Sequence, residues 1–177
     1  MKSIILETKH LFASAPTEGS LNNRFKLLSD PLVTKYLGDG KAKTKSETEE
    51  FLQKNIQHYQ EHGFCFFDIY NKKTKEFIGD AGLIYVALNK DNKDVEVGYR
   101  LAQKYWGKGY ASELAKAFIE WGFEEFNLEK IVACCKEDNI ASSNVMKKCG
   151  MDYSGKYLYN NTAECDIFVI KNPIIKQ

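Results

Sequence analysis

One segment constrains this chain more than any other: VEVGYRLAQKYWGKGYASELAKAFIEWGF, residues 95–123. It begins as a strand. Val95, Val97, Tyr99 and Leu101 alternate with Glu96, Gly98 and Arg100, the two-residue period of a half-buried strand. It continues as a helix. Ala111, Leu114, Ala115, Phe118, Gly122 and Phe126 fall at helical spacing and line one face. Between strand and helix lies YWGKGYAS, Tyr105 to Ser112. Glycines let a backbone approach a ligand closely. A helix start adds unpaired N–H groups and the positive end of the helix dipole. A phosphate or pyrophosphate suits such a place; a tight strand-to-helix turn is the other use of the same glycines. A P-loop is excluded, because the string GxxxxGK[ST] does not occur. A dinucleotide fingerprint needs a third glycine where Ser112 stands, and successive parallel βα units around it.

The rest of the chain does not provide those units. Ser3 to Ser14 reads as an opening strand and Thr17 to Leu28 as a helix with Thr17 as cap. Ser29-Asp30-Pro31 ends it, since the residue before a proline leaves the helical region. Thr44 to His62 reads as a second helix, with Ser46 and Glu49 as a capping box and Gly63 as its stop. Phe64 to Tyr70 and Phe77 to Val86 are strands joined by the polar turn at 71–75, and Asn89 to Asn92 is a further turn. After the 111–126 helix come a short apolar strand at Ile131 to Cys135, a helix at Asn139 to Lys148 stopped by Gly150, and strands near Met151–Tyr159 and Cys165–Ile170. The order predicts an α+β fold: a mixed, mostly antiparallel sheet with one βαβ crossover, from strand 95–101 to strand 131–135. Without repeats, low-complexity segments or a linker, one domain over 1–177 is expected, its core over about 5–172.

Bulk chemistry narrows the function further. With 25 Lys and Arg against 24 Asp and Glu, the net charge of +1 gives no case for nucleic acid or an acidic membrane as partner. No signal peptide is visible, and no run approaches the ~18 apolar residues of a spanning helix. The five cysteines form no CxxC, and with three scattered histidines they show no metal-ligand spacing. Cys134 and Cys135 are neighbours in a strand and so point to opposite faces. Free thiols in a reducing cytoplasm are the expectation, with no metal.

The loop and the segments C-terminal to it resemble the GCN5-related N-acetyltransferases (GNAT). Their acetyl-CoA motif is (Q/R)-x-x-G-x-(G/A), which Trp106-Gly107-Lys108-Gly109-Tyr110-Ala111 is similar to, with Trp106 in the Gln/Arg place. The whole 95–123 stretch looks like the ribosomal-protein (RimJ/RimL-type) branch, where that tryptophan is usual. Asp138 to Ser143 and Lys147 to Met151 are similar to the N-x-x-S and K-x-G-F elements, with Met151 in the Phe place. LETKHLF and LLSDPLVTKYLG also look like that branch, His10 standing where Arg is frequent. The likeness covers nearly the whole chain.

The resemblance implies a GNAT-type sheet that splays between strand 95–101 and strand 131–135, and acetyl-CoA as co-substrate. Leu101 and Ala102 then offer backbone groups to the acetyl group and pantetheine, with an N–H near Leu101 holding the developing oxyanion. Backbone N–H groups of Gly107, Lys108, Gly109, Tyr110, Ala111 and Ser112 hold the pyrophosphate, Lys108 adding charge or remaining solvated. Asn139 caps its helix and reaches pantetheine. An ammonium cannot attack a thioester, so a base is needed. Glu96 is the first candidate, unless its face is solvated or it pairs with Arg100; Glu164 and Asp166 follow, and Asp80 is weaker. Where many relatives carry an acidic tyrosine this chain has Met146, which leaves Ser142 as the acid for the departing thiolate or as a plain residue of a helix's first turn. Direct transfer is expected without an acyl-enzyme. The acceptor implied is a protein N-terminal α-amine; a small amine such as an aminoglycoside or polyamine is the alternative, with Gly38 to Lys45 edging its cleft. A catalytically silent acyl-CoA-binding module is the reading from a different class. A monomer or homodimer is expected.

Overall fold

The sheet is built around the 95–101 segment. The computed structural model describes residues 4–89, 92–159 and 163–175. In chain order its elements are β1 (Ile4–Glu7), β2 (Leu11–Ser14), α1 (Leu21–Leu28), α2 (Pro31–Thr34), α3 (Lys45–His62), β3 (Phe66–Asn71), β4 (Phe77–Asn89), β5 (Asn92–Leu101), α4 (Tyr110–Phe126), β6 (Lys130–Cys135), α5 (Ile140–Lys148), β7 (Asp152–Tyr159) and β8 (Ala163–Lys171). The strands form one eight-stranded sheet in the order β1-β2-β3-β4-β5-β6-β8-β7. β5 and β6 are parallel, and every other neighbouring pair is antiparallel. The mixed α+β sheet with a single crossover is therefore as the pattern predicts.

Local chemistry moves several boundaries. The opening segment is a hairpin, because Thr8 N–H donates to Leu11 O at 2.9 Å and turns the chain. Thr17 to Leu28 begins with a 3-10 turn at Glu18–Ser20 before α1 proper. Asp30-Pro31 stops α1 but also starts α2: Asp30 Oδ1 accepts from Leu32 N–H at 2.9 Å, and Pro31 takes the first helical position. α3 is capped by Thr44 rather than Ser46. Glu47 N–H donates to Thr44 Oγ1 at 3.2 Å, and Glu47 Oε2 accepts from Thr44 N–H at 2.8 Å. Both residue pairs fit the capping box; the earlier one adds backbone hydrogen bonds to the helix and is the one used. Gly63 ends α3 at φ 78°, as its place predicts. The turn expected at Asn89 to Asn92 has its middle residues, 90 and 91, outside the described residues.

β5 is buried on both faces over 94–97, not half-buried, because it is a central strand. Val95 and Val97 join the core under α4, together with Phe67, Leu83, Leu114 and Phe118. Phe67 and Phe118 stack at 5.7 Å. Gly122 brings the helix close: a Cβ there would stand 2.8 Å from Leu83 Cδ1 and 2.9 Å from Ile131 Cδ1.

The opposite face is held by ions. Register places Asp68 of β3 beside Asp80 of β4, and Asp80 beside Arg100 of β5. Two like charges side by side on adjacent strands oppose pairing. Arg24 of α1 resolves this. It is fully buried; its Nε donates to Asp68 Oδ1 at 2.9 Å, and its Nη1 lies 3.6 Å from Asp80 Oδ2. Nη2 donates to Phe66 O at 2.6 Å, and Ser20 Oγ donates to Asp68 Oδ2. Arg100 closes the row with two bonds to Asp80, at 2.6 and 2.9 Å. Removing one member strands the others in a dry place, so Arg24→Ala should cost about 3–5 kcal/mol of stability. Urea unfolding of the two proteins measures it; a loss of under about 1 kcal/mol, the scale of an exposed pair, would show that water reaches the cluster.

Candidate active site

β5 and β6 share one bridge pair, Glu96 with Val132. Beyond it the strands part, and a cleft of about 510 Å³ opens between them. Glu96, Gly98 and Arg100 line it from β5, Cys134 from β6, and Asn139 and Ser142 from the start of α5. Backbone direction along β5 is set by one bond. Ala102 N–H donates to Ile78 O of β4 at 2.9 Å. Backbone groups alternate sides along a strand, so the N–H groups of Tyr99 and Leu101 turn toward the parting. Of the two backbone positions expected to meet pantetheine, Leu101 turns its N–H toward the parting, while that of Ala102 is bonded to Ile78.

The glycine loop lies where β5 ends. Trp106 Nε1 donates to Leu101 O at 2.7 Å and folds the chain back, which explains a tryptophan at this place. Gly107 and Gly109 have φ of 73° and 79°, the left-handed region that disfavours a side chain. A Cβ on either would meet nothing within 4 Å. The glycines therefore border open space rather than a packed turn. Gly109 caps α4 without a side-chain bond, and the first helical bond is Glu113 N–H to Gly109 O. That leaves the N–H groups of Tyr110, Ala111 and Ser112 without helical partners. Lys108 is exposed, its Nζ 5.4 Å from the centroid of the Tyr105 ring.

Glu113 sits in that same first turn, where a free carboxylate would oppose an anion. Its oxygens are occupied by the β1–β2 turn: Oε1 accepts from Thr8 Oγ1 and from His10 N–H at 2.8 Å, and Oε2 lies 2.7 Å from His10 Nδ1. Burial alone would raise the Glu113 carboxyl, but the bonds from Thr8 and His10 hold it below its ordinary value.

Two proton-transfer candidates face the cleft. Glu96 is about nine-tenths buried, with Ile84 and Val132 beside it in register. Burial first, then the charge of Glu96 and a hydrogen bond to it, push the Cys134 thiol far above its ordinary range and favour its protonated form. Arg100 is paired with Asp80, and it lies 4.6 Å from the centroids of both the Phe51 and Phe66 rings. Ser142 N–H donates to Asn139 Oδ1 at 3.2 Å, the cap expected of Asn139. Its hydroxyl lies 2.9 Å from Tyr99 Oη. Tyr99 was legible only as one of the apolar positions of β5. Nothing local announces its partner 43 residues on.

The remaining candidates lie elsewhere. Asp80 is buried between Arg100 and Arg24. Glu164 is exposed, 4.0 Å from Lys156 Nζ. Asp166 Oδ1 accepts from Tyr153 Oη at 3.4 Å. Met146, which the family resemblance sets in the place of a tyrosine, is buried in the core. Among the described residues no three His, Cys, Asp or Glu side chains are grouped to hold a metal, and no helix is long and apolar enough to cross a membrane.

The acetyltransferase (GNAT) domain profile matches residues 11–152. This chain belongs to the GNAT family. It is 30% identical over 165 residues to the N-acetyltransferase YoaA of Bacillus subtilis, a match that covers 92% of each chain. The crystal structure of a GNAT-family acetyltransferase from Bacillus anthracis superposes with a TM-score of 0.77 at 26% identity, covering 94% of this chain and 97% of that one. RimL, a ribosomal L7/L12 α-N-protein acetyltransferase solved with coenzyme A, superposes at 0.77 with 20% identity, over 96% and 98% of the two chains. The protein is an acyl-CoA-dependent N-acetyltransferase.

The open glycines and free first-turn N–H groups fit a pyrophosphate. Gly109→Val would place a branched side chain in that space at an unfavourable φ, and should lower acetyl-CoA affinity at least tenfold. Thermal-shift titration reads this, since a ligand at 100 times its Kd adds about 2.7 kcal/mol; an unchanged titration would place the anion elsewhere. The Glu113 clamp predicts a pH effect. A carboxyl lowered in the fold stabilises above its unfolded value of about 4.3 and loses that contribution as pH falls through its folded value. Glu113→Gln should therefore lower stability near neutral pH and flatten the decline between about pH 5 and 3, measured by melting across that range.

Proposed function

We propose that this protein transfers an acetyl group from acetyl-CoA to a primary amine by direct attack in a ternary complex, and that the amine is a protein N-terminal α-amine. One observation carries the reading: the carboxylate of Glu96 and the hydroxyl of Ser142 open onto one cleft, below the single pair that joins β5 to β6. In this reading Glu96 is the base and Ser142 the acid for a thioester that enters the parting. The acceptor is supported by the likeness in shape to RimL and by a cleft large enough for a flexible chain end.

When bound, acetyl-CoA supplies the activated acyl group and a thiol leaving group. The residues do the rest. The N–H groups of Gly107 to Ser112 and the start of α4 hold the pyrophosphate, and Asn139 borders the pantetheine path. Leu101 N–H receives the carbonyl oxygen as it gains charge, an interaction that strengthens during the reaction and so lowers the barrier. Glu96 takes the proton of the incoming ammonium. Ser142 gives its proton to the leaving sulfur.

Purified protein with acetyl-CoA and a panel of peptides, aminoglycosides and polyamines tests the acceptor. Acetylation of peptide N-termini is expected; turnover of a small amine alone would replace the acceptor but keep the chemistry. Glu96→Gln should lower kcat by 10²- to 10⁴-fold, the usual worth of a positioned base. Ser142→Ala should lower kcat while leaving the KM for acetyl-CoA within about twofold. Unchanged turnover in either variant removes that residue from its role.

A further inference from the structure

Tyr99 is the polar member of the β5 row that otherwise presents Val95, Val97 and Leu101 to the α4 side. Its ring packs against the core, Tyr99 and Ser142 both line the cleft, and the phenolic hydroxyl meets Ser142. There it lies 2.9 Å from Ser142 Oγ and 3.3 Å from Ser142 O. Each hydroxyl has one hydrogen to give. If Ser142 gave its own to Tyr99, it would have none for a leaving sulfur. Ser142 O at 3.3 Å competes for the one Tyr99 hydrogen, but Oγ at 2.9 Å is nearer and a phenol is a far stronger acid than an aliphatic hydroxyl, so the favoured sense is Tyr99 donating to Ser142 Oγ. Asn139 Oδ1, the other polar atom bonded to Ser142, is occupied by the Ser142 N–H. The Ser142 hydrogen is then left to face the cleft. Burial raises the Tyr99 phenol despite its bond to Ser142, which keeps the donor protonated at neutral pH.

We propose that Tyr99 is a positioning residue for acyl transfer: its phenolic O–H donates to Ser142 Oγ, aims the Ser142 hydrogen at the leaving sulfur, and takes up the charge left on Oγ as that proton departs. This rests on Ser142 being the acid. In the step, the carbon–sulfur bond breaks and its electron pair stays on sulfur. The Ser142 proton moves to sulfur, the Tyr99 proton moves to Oγ, and the proton that Glu96 collected from the amine refills Tyr99 through water. The amine nitrogen has by then bonded to the acetyl carbon, and Glu96, free again, takes the second proton that this nitrogen must lose and passes it to solvent; one proton ends on the thiol and one in solvent, and no oxidant or further reactant is needed. The relay also accounts for Met146. The fold has a tyrosine at the thiol end of the cleft, but it comes from β5 and acts through a serine.

Tyr99→Phe, Ser142→Ala and the double variant test this, with kcat, the KM for acetyl-CoA and melting temperature measured for each. Phe keeps the ring, so a purely packing role leaves kcat unchanged. The expected result is a 10- to 100-fold lower kcat for Tyr99→Phe, a KM within about twofold of the parent's, a melting temperature within a few degrees, and a double variant no slower than Ser142→Ala alone. Parent-like turnover in Tyr99→Phe while Ser142→Ala is slow would overturn the proposal and leave the acid assignment standing. Losses that multiply in the double variant would show that the two residues act separately. Parent-like turnover in Ser142→Ala would remove the acid itself and the proposal with it.

Discussion

The single bridge between Glu96 and Val132 is the hinge on which this structure depends. Beyond it β5 and β6 separate while each keeps its antiparallel partner on the far side. A sheet opened at one end acquires what a closed sheet lacks: a through-path from one face to the other, lined by main-chain groups. The glycine loop lies where β5 ends, and the cleft opens between α3 and the strands. Because Glu96 belongs to the bridge, the register that makes the opening also fixes that carboxyl group beside it.

The ion row on the α1 and α3 face supports that arrangement. Asp68, Asp80 and Arg100 run across three strands, and Arg24 reaches down from α1 to join them. Asn55 of α3 adds a second anchor, its Oδ1 accepting from Phe66 N–H at 3.0 Å and its Nδ2 donating to Phe66 O at 2.6 Å. Both helices are therefore fixed to β3 by directional bonds as well as by apolar packing. Directional bonds specify a single placement where greasy surfaces alone tolerate sliding. The wall of the cleft, with Phe51 and Phe66 around Arg100, inherits that placement.

Much of this was legible in the sequence, and the remainder shares one physical character. Periodicity located β5, α4 and α5, because burial repeats along a strand or helix with a fixed period. Two glycines before a helix located the loop, because backbone freedom is written in the residue itself. Glu96 and Ser142 stood out by type and place. What stayed hidden was pairing at long range. Arg24 looks like a solvated helix residue until Asp68, 44 residues away, is brought beneath it. Tyr99 looks apolar until Ser142 arrives. Thr44 and Ser46 offer equivalent local boxes, so only the folded helix distinguishes them. The β1–β2 turn gives no local sign that its Thr8 and His10 will occupy a carboxylate on α4.

The parting of β5 from β6 also has the character of an edge strand, carried inside the molecule rather than at its rim. Edge strands recruit other chains, and proteins ordinarily guard them with charge, bulges or cover. Here one of the exposed acceptors, Leu101 O, is capped by the indole of Trp106, and the walls of a narrow cleft keep bulky strands away from the rest. Such an edge selects for slenderness. A thin, amide-bearing arm can lie along it and complete the ladder, whereas a second sheet cannot enter. The hazard of an open strand is thus turned into a filter on molecular width.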